Sequence, residues 1–220
     1  VASAPTVALT TDTGSSNSDK ITKTSGLTVG GTEAGALVEY STDGSTWSTT
    51  TPTPSQGSNT VYVRQTDVAG NVSSATSYSF TLDTTVSAPT IALFSDTGAS
   101  STDKTTSDGT IVVTGLESGA TWQYSTDNGT SWLSGTGSSF GVSGEGVKTV
   151  LVRQTDVAGN TSSGSTYSFT LDTQSPVGPK VALLSDSGTD GGDKVTNVGT
   201  VTVDLVESGA TWEYSTNNGS

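Results

Sequence analysis

Pairs of aspartates recur along this 220-residue chain in the same local setting. The run Asp12-Thr-Gly-Ser-Ser-Asn-Ser-Asp19-Lys20 returns from Asp96 to Lys104 and again from Asp186 to Lys194. Asp103 and Asp193 are the counterparts of Asp19 in these two later runs. Calcium takes roughly six to eight oxygen ligands, tolerates irregular geometry and accepts backbone carbonyls, which Gly-rich loops supply. These loops are therefore candidates for calcium ligation.

Three further motifs recur with the same period. Glu33-Ala-Gly-Ala matches segments beginning at Glu117 and Glu207. Val63-Arg-Gln-Thr-Asp67-Val-Ala-Gly-Asn71 matches the run from Val152 through Asp156 to Asn160, and the run from Tyr78 to Asp83 matches that from Tyr167 to Asp172. Repetition at a fixed long period indicates an array of similar domains. Residues 135–146 absorb the longer spacing late in repeat 2, and we expect a loop there.

Each repeat reads as about seven short strands separated by Gly, Asn, Asp and Ser turns. Alternating apolar residues predict strands over Thr6–Thr10, within Ile21–Gly30, around Val38 and Tyr40, from Val61 to Gln65 and from Tyr78 to Leu82. Such units suit a small immunoglobulin-like β-sandwich of about 100 residues. We predict an all-β chain of tandem sandwiches in a linear array: residues 1–85, 86–174 and an incomplete third repeat, 175–220. Prolines near the boundaries favour stiff, extended linkers.

Successive loops of a sandwich lie at opposite ends of the domain. The position of each loop therefore predicts which acidic residues come together when two repeats stack end to end. The loop after the first strand and the end of the last strand share the far end, which carries Asp12, Asp19 and Asp83. The near end of the next repeat carries Glu117, Asp156 and Asn160. The second junction would gather Asp96, Asp103 and Asp172 with Glu207. The same register makes candidate ligands of the remaining equivalent positions, which are Glu33, Asp67, Asn71, Asp186 and Asp193.

Crowded carboxylates repel one another unless a cation lies between them, and we therefore predict calcium at each junction. A single Asp-x-Gly segment is explained equally well by a hydrogen-bonded Asx turn. Asp43 and Asp127 begin Asp-Gly or Asn-Gly hairpin turns, so turn chemistry alone accounts for them. An enzymatic reading is disfavoured because these acids recur in every unit, whereas an active site usually occurs once. No catalytic residues are assigned.

The negative net charge of the chain excludes some classes of binding partner. Asp and Glu total 21 against 8 Lys and Arg, which gives a net charge of −13. Such a surface repels phosphate backbones and anionic lipid, and it predicts binding to neither nucleic acid nor membrane. The chain contains no Cys and no His, which removes zinc clusters, thiol nucleophiles, disulfides and the usual general base. No apolar run approaches the ~20 residues of a membrane span, and the absence of a signal peptide suggests an internal segment.

Two tryptophans leave a second function open. Trp47 and Trp132 each follow a hairpin turn by a few residues. They could form a sugar-stacking platform, which would make the chain a glycan-binding module. The alternative is that each is a core residue or closes its hairpin. This structural role is favoured because both repeats keep the same position and no second exposed aromatic stands beside either one.

The motifs Arg-Gln-Thr-Asp-Val-Ala-Gly-Asn, Tyr-Ser-Phe-Thr-Leu-Asp-Thr and Asp-Thr-Gly-x-Ser-x-x-Asp resemble bacterial Ig-like repeats. These repeats fill giant non-fimbrial adhesins exported by type I secretion, of the SiiE and Bap-like kind. The resemblance implies a secreted or cell-surface location and a monomeric rod stiffened by calcium at domain junctions. It implies that role for Asp12, Asp19, Asp83 and Asp156. It also implies that a host receptor or glycan is bound through distal repeats.

Overall fold

The computed structural model describes residues 2–219, which contain strands, turns and irregular segments but no helix. Accordingly, these residues include no helix that is long and apolar enough to cross a membrane. The chain divides into two compact units, Val1–Asp172 and Thr173–Ser220. Both of the first two repeats lie in the first unit.

Repeat 1 is a sandwich of two sheets. Its strands are β1 (Thr6–Leu9), β2 (Ile21–Thr22), β3 (Leu27–Gly30), β4 (Leu37–Ser41), β5 (Gly57–Thr66) and β6 (Thr76–Leu82). Antiparallel β1 and β3 form one sheet, and the other has the order β2-β6-β5-β4. The short β2 pairs in parallel with β6, which places the end of the last strand beside the loop that follows β1.

Repeat 2 has the same plan with two additional strands. Its strands are β7 (Thr90–Leu93), β8 (Thr105–Thr106), β9 (Thr110–Thr114), β10 (Thr121–Ser125), β11 (Leu133–Ser134), β12 (Ser139–Gly141), β13 (Gly146–Thr155) and β14 (Ser165–Leu171). The sheet orders are β12-β9-β7 and β11-β10-β13-β14-β8. The all-β prediction is thus confirmed.

Alternation along the two longest strands of each repeat explains where the core lies. In β5, Val61 and Val63 point inward and are buried, and they meet Phe80 and Leu82 from β6. Val7 and the other apolar residues of β1 and β3 close this cluster from the opposite sheet. Burying a large apolar side chain stabilises the fold by about 1.5–3 kcal/mol. The period-two pattern therefore selects the face on which the two sheets pack.

The structure adds to one of the strand predictions and corrects another. The range Ile21–Gly30, within which one strand was predicted, contains two, because β2 joins the sheet of β6 whereas β3 pairs with β1. The stretch 135–146, predicted to be a loop, contains β12. Phe140 in this strand is buried and stacks on Tyr124 with ring centroids 4.1 Å apart. One aromatic residue thus draws an otherwise polar segment into the sheet.

The second unit contains the first part of the same pattern. Strands β15 (Lys180–Leu183) and β16 (Val201–Asp204) pair antiparallel, as β1 and β3 do in repeat 1. Val181 and Val201 are exposed here, whereas their counterparts in repeat 2, Ile91 and Ile111, are buried. Repeats 1 and 2 each have a second sheet, which contains β5 and β6 in repeat 1 and β13 and β14 in repeat 2. No such sheet occurs among residues 173–219.

We expect Phe169→Ala to lower the free energy of unfolding of repeat 2 by about 3–5 kcal/mol, because it leaves a cavity in the core. Phe169 is 3% exposed, whereas Phe94 in the same repeat is 69% exposed. Phe94→Ala is the matched control and should change stability by no more than about 0.5 kcal/mol. Urea unfolding monitored by tryptophan fluorescence measures both. Equal losses in the two variants would contradict this assignment of the core.

Candidate functional site at the contact between repeats 1 and 2

The loop after β1 lies against the turn between β13 and β14, so repeat 1 contacts repeat 2 directly. Three successive carbonyls of that turn accept hydrogen bonds from repeat 1. The Ser15 N–H donates to Val157 O at 3.1 Å and the Thr13 hydroxyl to Ala158 O at 2.7 Å. The Lys23 ammonium donates to Gly159 O at 2.7 Å. The far end of one repeat thus meets the near end of the next, as the topology predicted.

Gly14 lies at the closest approach of the two backbones. A Cβ at this position would lie 2.0 Å from Val157 O, far inside any allowed contact. The residue also has a φ of 99°, a left-handed conformation that side chains disfavour. Glycine is therefore required here both by the conformation of the loop and by the contact.

Asn160 binds both repeats with one amide group. Its side-chain nitrogen donates to Asp156 Oδ2 at 2.8 Å within the turn and to Asp83 O at 2.7 Å across the junction. The Asn160 backbone N–H donates to Asp156 Oδ1 at 2.8 Å. Asp156 is only 5% exposed, and these bonds satisfy both of its oxygens, as a buried carboxylate requires.

The chain that joins the repeats is held by repeat 2 itself. Gln154 is fully buried, and its Nε2 donates to Ser87 O at 2.8 Å and to Gly115 O at 3.1 Å. Its Oε1 accepts the Glu117 N–H at 2.8 Å, and Glu117 Oε1 accepts the Ser87 N–H at 3.0 Å. Both backbone groups of the linker residue Ser87 are thus bonded to repeat 2. Gln65 is the equivalent residue of repeat 1. The sequence analysis placed it on an alternating strand but did not predict that it binds the linker. A glutamine at an inward-facing position in both repeats could have indicated this role.

The repeated Asp12 loop has an unusual feature in all three copies. Asp12 Oδ2 accepts the Lys20 N–H at 2.9 Å, and Lys104 and Lys194 donate in the same way to Asp96 and Asp186. The three lysines have φ values of 62–63°, which is uncommon for a residue with a side chain. The other oxygen, Oδ1, is buried without a hydrogen-bond partner in Asp12, Asp96 and Asp186. A buried carboxylate oxygen without a donor is costly, and a cation could offset that cost.

Several other predicted ligands are bonded within their own repeats. Asp19, Asp103 and Asp193 each accept the N–H two residues on, at 2.9–3.0 Å. Asp83 Oδ1 accepts from the Gln56 amide at 2.8 Å, and Glu33 Oε1 accepts the Ser3 N–H at 3.1 Å. Asp67 accepts from Asn71, whose side-chain hydrogen bond is the main reason that the pKa of Asp67 is lowered.

The structure therefore brings together some predicted residues and leaves others to local roles. The Asp12 loop, the end of β6 at Asp83 and the Asp156–Asn160 turn meet at the first junction. Among residues 2–219, no group of three or more Asp or Glu side chains is arranged to hold a metal ion. At Asp172 and Glu207, backbone groups make local bonds, with the Asp172 N–H donating to Thr106 O and the Ala210 N–H to Glu207 O. Ligation at the second junction stays a prediction.

The tryptophans that could bind sugar each carry an arginine on the ring. The Arg64 guanidinium carbon lies 4.1 Å from the ring centroid of Trp47, and that of Arg153 lies 3.9 Å from Trp132. Arg64 also pairs with Glu39 at 2.9 Å. Stacking with arginine on the sheet surface favours the structural role of these rings over a sugar platform.

Gly14→Ala should separate the two repeats while leaving each one folded, because the added carbon collides with Val157 O. The matched control is Gly98→Ala, since Gly98 has nearly the same φ of 101° but its Cβ would lie 3.9 Å from the nearest atom, Thr105 O. Both variants carry the same backbone strain, so their difference reports the contact. Amide hydrogen exchange at Ser15 should accelerate in Gly14→Ala alone. Unchanged protection in that variant would mean that the Ser15 bond to Val157 does not persist in solution.

Acid should weaken the hairpin turn at Asp127. Hydrogen bonds from Ser131, first from its side chain and then from its N–H, together with one from the Ser125 hydroxyl, lower the pKa of Asp127 from 3.8 to about 2. A folded pKa below the unfolded value means that the stabilisation is complete above pH 3.8 and is lost as the pH falls through about 2. Asp127→Asn should lose less stability over that window, because an amide does not titrate there. Asn217, which occupies the same turn position in repeat 3, makes the equivalent bond to Ser215.

An NMR titration of the Asp127 carboxyl carbon measures the pKa directly. A midpoint at the ordinary value of 3.8 would contradict these hydrogen bonds.

Comparison with known proteins found one similar family model and a similar solved structure. Residues 1–84 match the model of the bacterial Ig-like domain. No curated protein matches the chain. A solved structure described as the "tetra-tandem repeat in extending region of large adhesion protein" is similar over 84% of this chain, with 17% identity and a TM-score of 0.29. The chain spans about half of that structure, 53% of its length. Residues 1–84 are thus similar to the bacterial Ig-like domain, and residues 86–172 repeat their motifs and sheet order.

Proposed function

We propose that this chain is a structural, non-enzymatic segment of a bacterial surface adhesin. Its repeats dock end to end and hold a fixed relative orientation, so that the array can carry a binding region away from the cell. The observation that supports this most strongly is the docking of Thr13–Ser15 onto Val157–Gly159. The description of the similar tandem-repeat structure as part of a large adhesion protein agrees with this proposal.

Two separate sets of contacts restrict movement between the repeats. The Asp12 loop and Asp83 bind the Asp156–Asn160 turn directly. Gln154 and Glu117 bind the linker at Ser87. Domains of one chain move freely unless their interface is extensive. Because Ser87 is bonded to repeat 2 at both its N–H and its carbonyl, the unrestrained part of the linker is short. Bending at this junction requires the direct hydrogen bonds between the repeats to break.

Calcium is the proposed stabiliser of the Asp12 loop in each repeat. The support is the buried, unpartnered Oδ1 of Asp12, Asp96 and Asp186, which a cation would satisfy. Because no three acidic side chains converge in residues 2–219, an ion here would take only one or two carboxylates. Backbone carbonyls, hydroxyls and water would supply the remaining oxygens. Asp12 would be the principal ligand in repeat 1, with Asp19 and Asp83 as further candidates.

The cellular setting follows from the same proposal. Extracellular calcium modules have dissociation constants of roughly 10⁻⁴ to 10⁻³ M, so such sites would be empty in the cytosol and filled outside the cell. The acidic loops would then be flexible during export and ordered at the surface. Neighbouring repeats of the same chain are the partners that the contacts support, and the host receptor or glycan stays a prediction.

Calcium should stabilise the chain and reduce its flexibility, whereas EDTA should have the opposite effect. Thermal unfolding with calcium at about 100 times the dissociation constant should show a gain of about 2.7 kcal/mol per filled site. Asp12→Asn should remove the contribution of repeat 1. Asp43→Asn is the control, because the Asp43 carboxylate already accepts from Ser41, Ser45 and Thr46 in its own turn.

Small-angle X-ray scattering of the same samples reports the shape. We expect a smaller spread of dimensions with calcium than with EDTA. If neither unfolding nor scattering responds to calcium, the buried oxygens are satisfied without an ion, and the calcium part of the proposal fails. The docking part fails separately, if repeats 1 and 2 move independently under both conditions.

A further inference from the structure

We infer that the near end of repeat 1 is a docking site for the far-end loop of a further repeat of this type. The site is the Asp67–Asn71 turn, here called the repeat-1 turn, and the Asp156–Asn160 turn is called the repeat-2 turn. The occupant is a second copy of the Asp12–Lys20 loop. This inference rests on the proposed function, since it extends to a new surface the contact seen between repeats 1 and 2.

The two turns are the same in sequence and in backbone structure. The nine residues from Val63 to Asn71 are identical to those from Val152 to Asn160. In both turns the Asp N–H donates to the Asn carbonyl at 3.0 Å, and the glycines have φ values of 85° and 89°. In both, the Asn side chain donates to the Asp Oδ2 at 2.8 Å. The repeat-1 turn is therefore already in the shape that receives a loop in repeat 2.

Only the surroundings of the two turns differ. Ala158 has no exposed surface, whereas its counterpart Ala69 is exposed. Val68 is 84% exposed, whereas Val157 is half-buried. In the repeat-2 turn the carbonyls of residues 157–159 accept from repeat 1. The repeat-1 turn presents the same surface without a covering loop.

The chain enters both repeats in the same way, which fixes the direction from which an occupant would arrive. Ser3 donates its N–H to Glu33 at 3.1 Å and accepts from the Gln65 amide at 2.7 Å. Ser87 makes the equivalent bonds to Glu117 and Gln154 at 3.0 and 2.8 Å. A repeat joined ahead of residue 1 would thus be directed toward the repeat-1 turn as repeat 1 is directed toward the repeat-2 turn.

The occupant must offer a hydroxyl followed by a glycine. Thr13-Gly14 makes the close approach in the observed contact, and the hydroxyl-glycine pair recurs as Thr97-Gly98 and Ser187-Gly188. Lys23 has no basic counterpart, because Ser107 and Asn197 stand at its place. A copy of repeat 1 carries all of these donors and is the best-matched occupant within this chain.

The test joins a second copy of residues 1–84 directly ahead of Val1. The new connection, Thr84-Val1-Ala2-Ser3, has the same length as the native Thr84-Thr85-Val86-Ser87. The chemical shift of the alanine methyl group in each Val-Ala-Gly turn then shows whether that turn is exposed (open) or in contact with a loop (covered). Ala→Ser substitution assigns each methyl signal. In the original chain Ala69 should give the open signal and Ala158 the covered one.

In the extended chain we expect the Ala69 methyl signal of the original repeat 1 to shift to the position of Ala158, which leaves only the outermost turn open. Gly14→Ala in the added copy should return Ala69 to the open position without moving Ala158. If Ala69 stays open while Ala158 is covered, the inference is overturned and the proposed function stands. If Ala158 is itself in the open position in the original chain, the docking on which both rest is absent.

Discussion

The close approach of two backbones at Gly14 and Val157 is the constraint on which the pairing of the first two repeats depends. No side chain fits between them, because even a Cβ would lie 2.0 Å from Val157 O. The contact is therefore made by backbone groups and polar side chains, including the Lys23 ammonium, rather than by an apolar patch. Hydrogen bonds of this kind are directional, with a narrow range of lengths and angles. An interface built from them fixes orientation better than a hydrophobic contact of the same small size.

A buried residue of repeat 2, Gln154, holds the linker beside that contact. Gln154 is buried beneath the linker with its side-chain amide fully used, and the adjacent turn begins two residues later at Asp156. A buried amide without partners would cost several kcal/mol, so these bonds form together or not at all. The end of β13 thus supplies a core residue, Val152, and the residue that binds the linker, Gln154. The turn that contacts repeat 1 follows directly. This explains why the run from Val152 to Asn160 occurs as an unbroken unit in both complete repeats.

Much of this arrangement could be predicted from sequence because it depends on periodicity. Alternation in β5 and β6 predicts the core, and the alternation of loops between two ends predicts that the Asp12 loop meets the Asp156 turn. The hydrogen-bond partners of the acids could not be predicted, because Asp19 and Asp67 choose neighbours within their own loops. Asp side chains readily bond to backbone groups that are close in sequence, and the repeat pattern does not show which of them do so. The bonds between Gln154 and the linker could not be predicted for another reason. A polar residue at an inward-facing position must have hydrogen-bond partners, but the sequence does not show which groups they are.

The buried oxygen of Asp12 connects the sequence pattern to the proposed response to calcium. The same atom is unpartnered in three loops whose sequences differ at Thr13, from Ser15 to Ser18 and at the equivalent positions. A shared defect in hydrogen bonding is unlike random variation and suggests a common requirement. The docking contact, by contrast, is complete in protein atoms alone. Docking and the proposed calcium binding are therefore independent: the contacts between the repeats determine the geometry of the pair, and a bound ion would add stability.

The relative orientation of repeats 1 and 2 in solution tests the docking most directly. Residual dipolar couplings of backbone amides can be measured for both repeats in one aligned sample of the full chain. The contacts at Gly14, Asn160 and Ser87 predict that one alignment tensor fits both repeats together, with the relative orientation described here. Two tensors of different magnitude would show that the repeats move independently, and would contradict the claim that they dock.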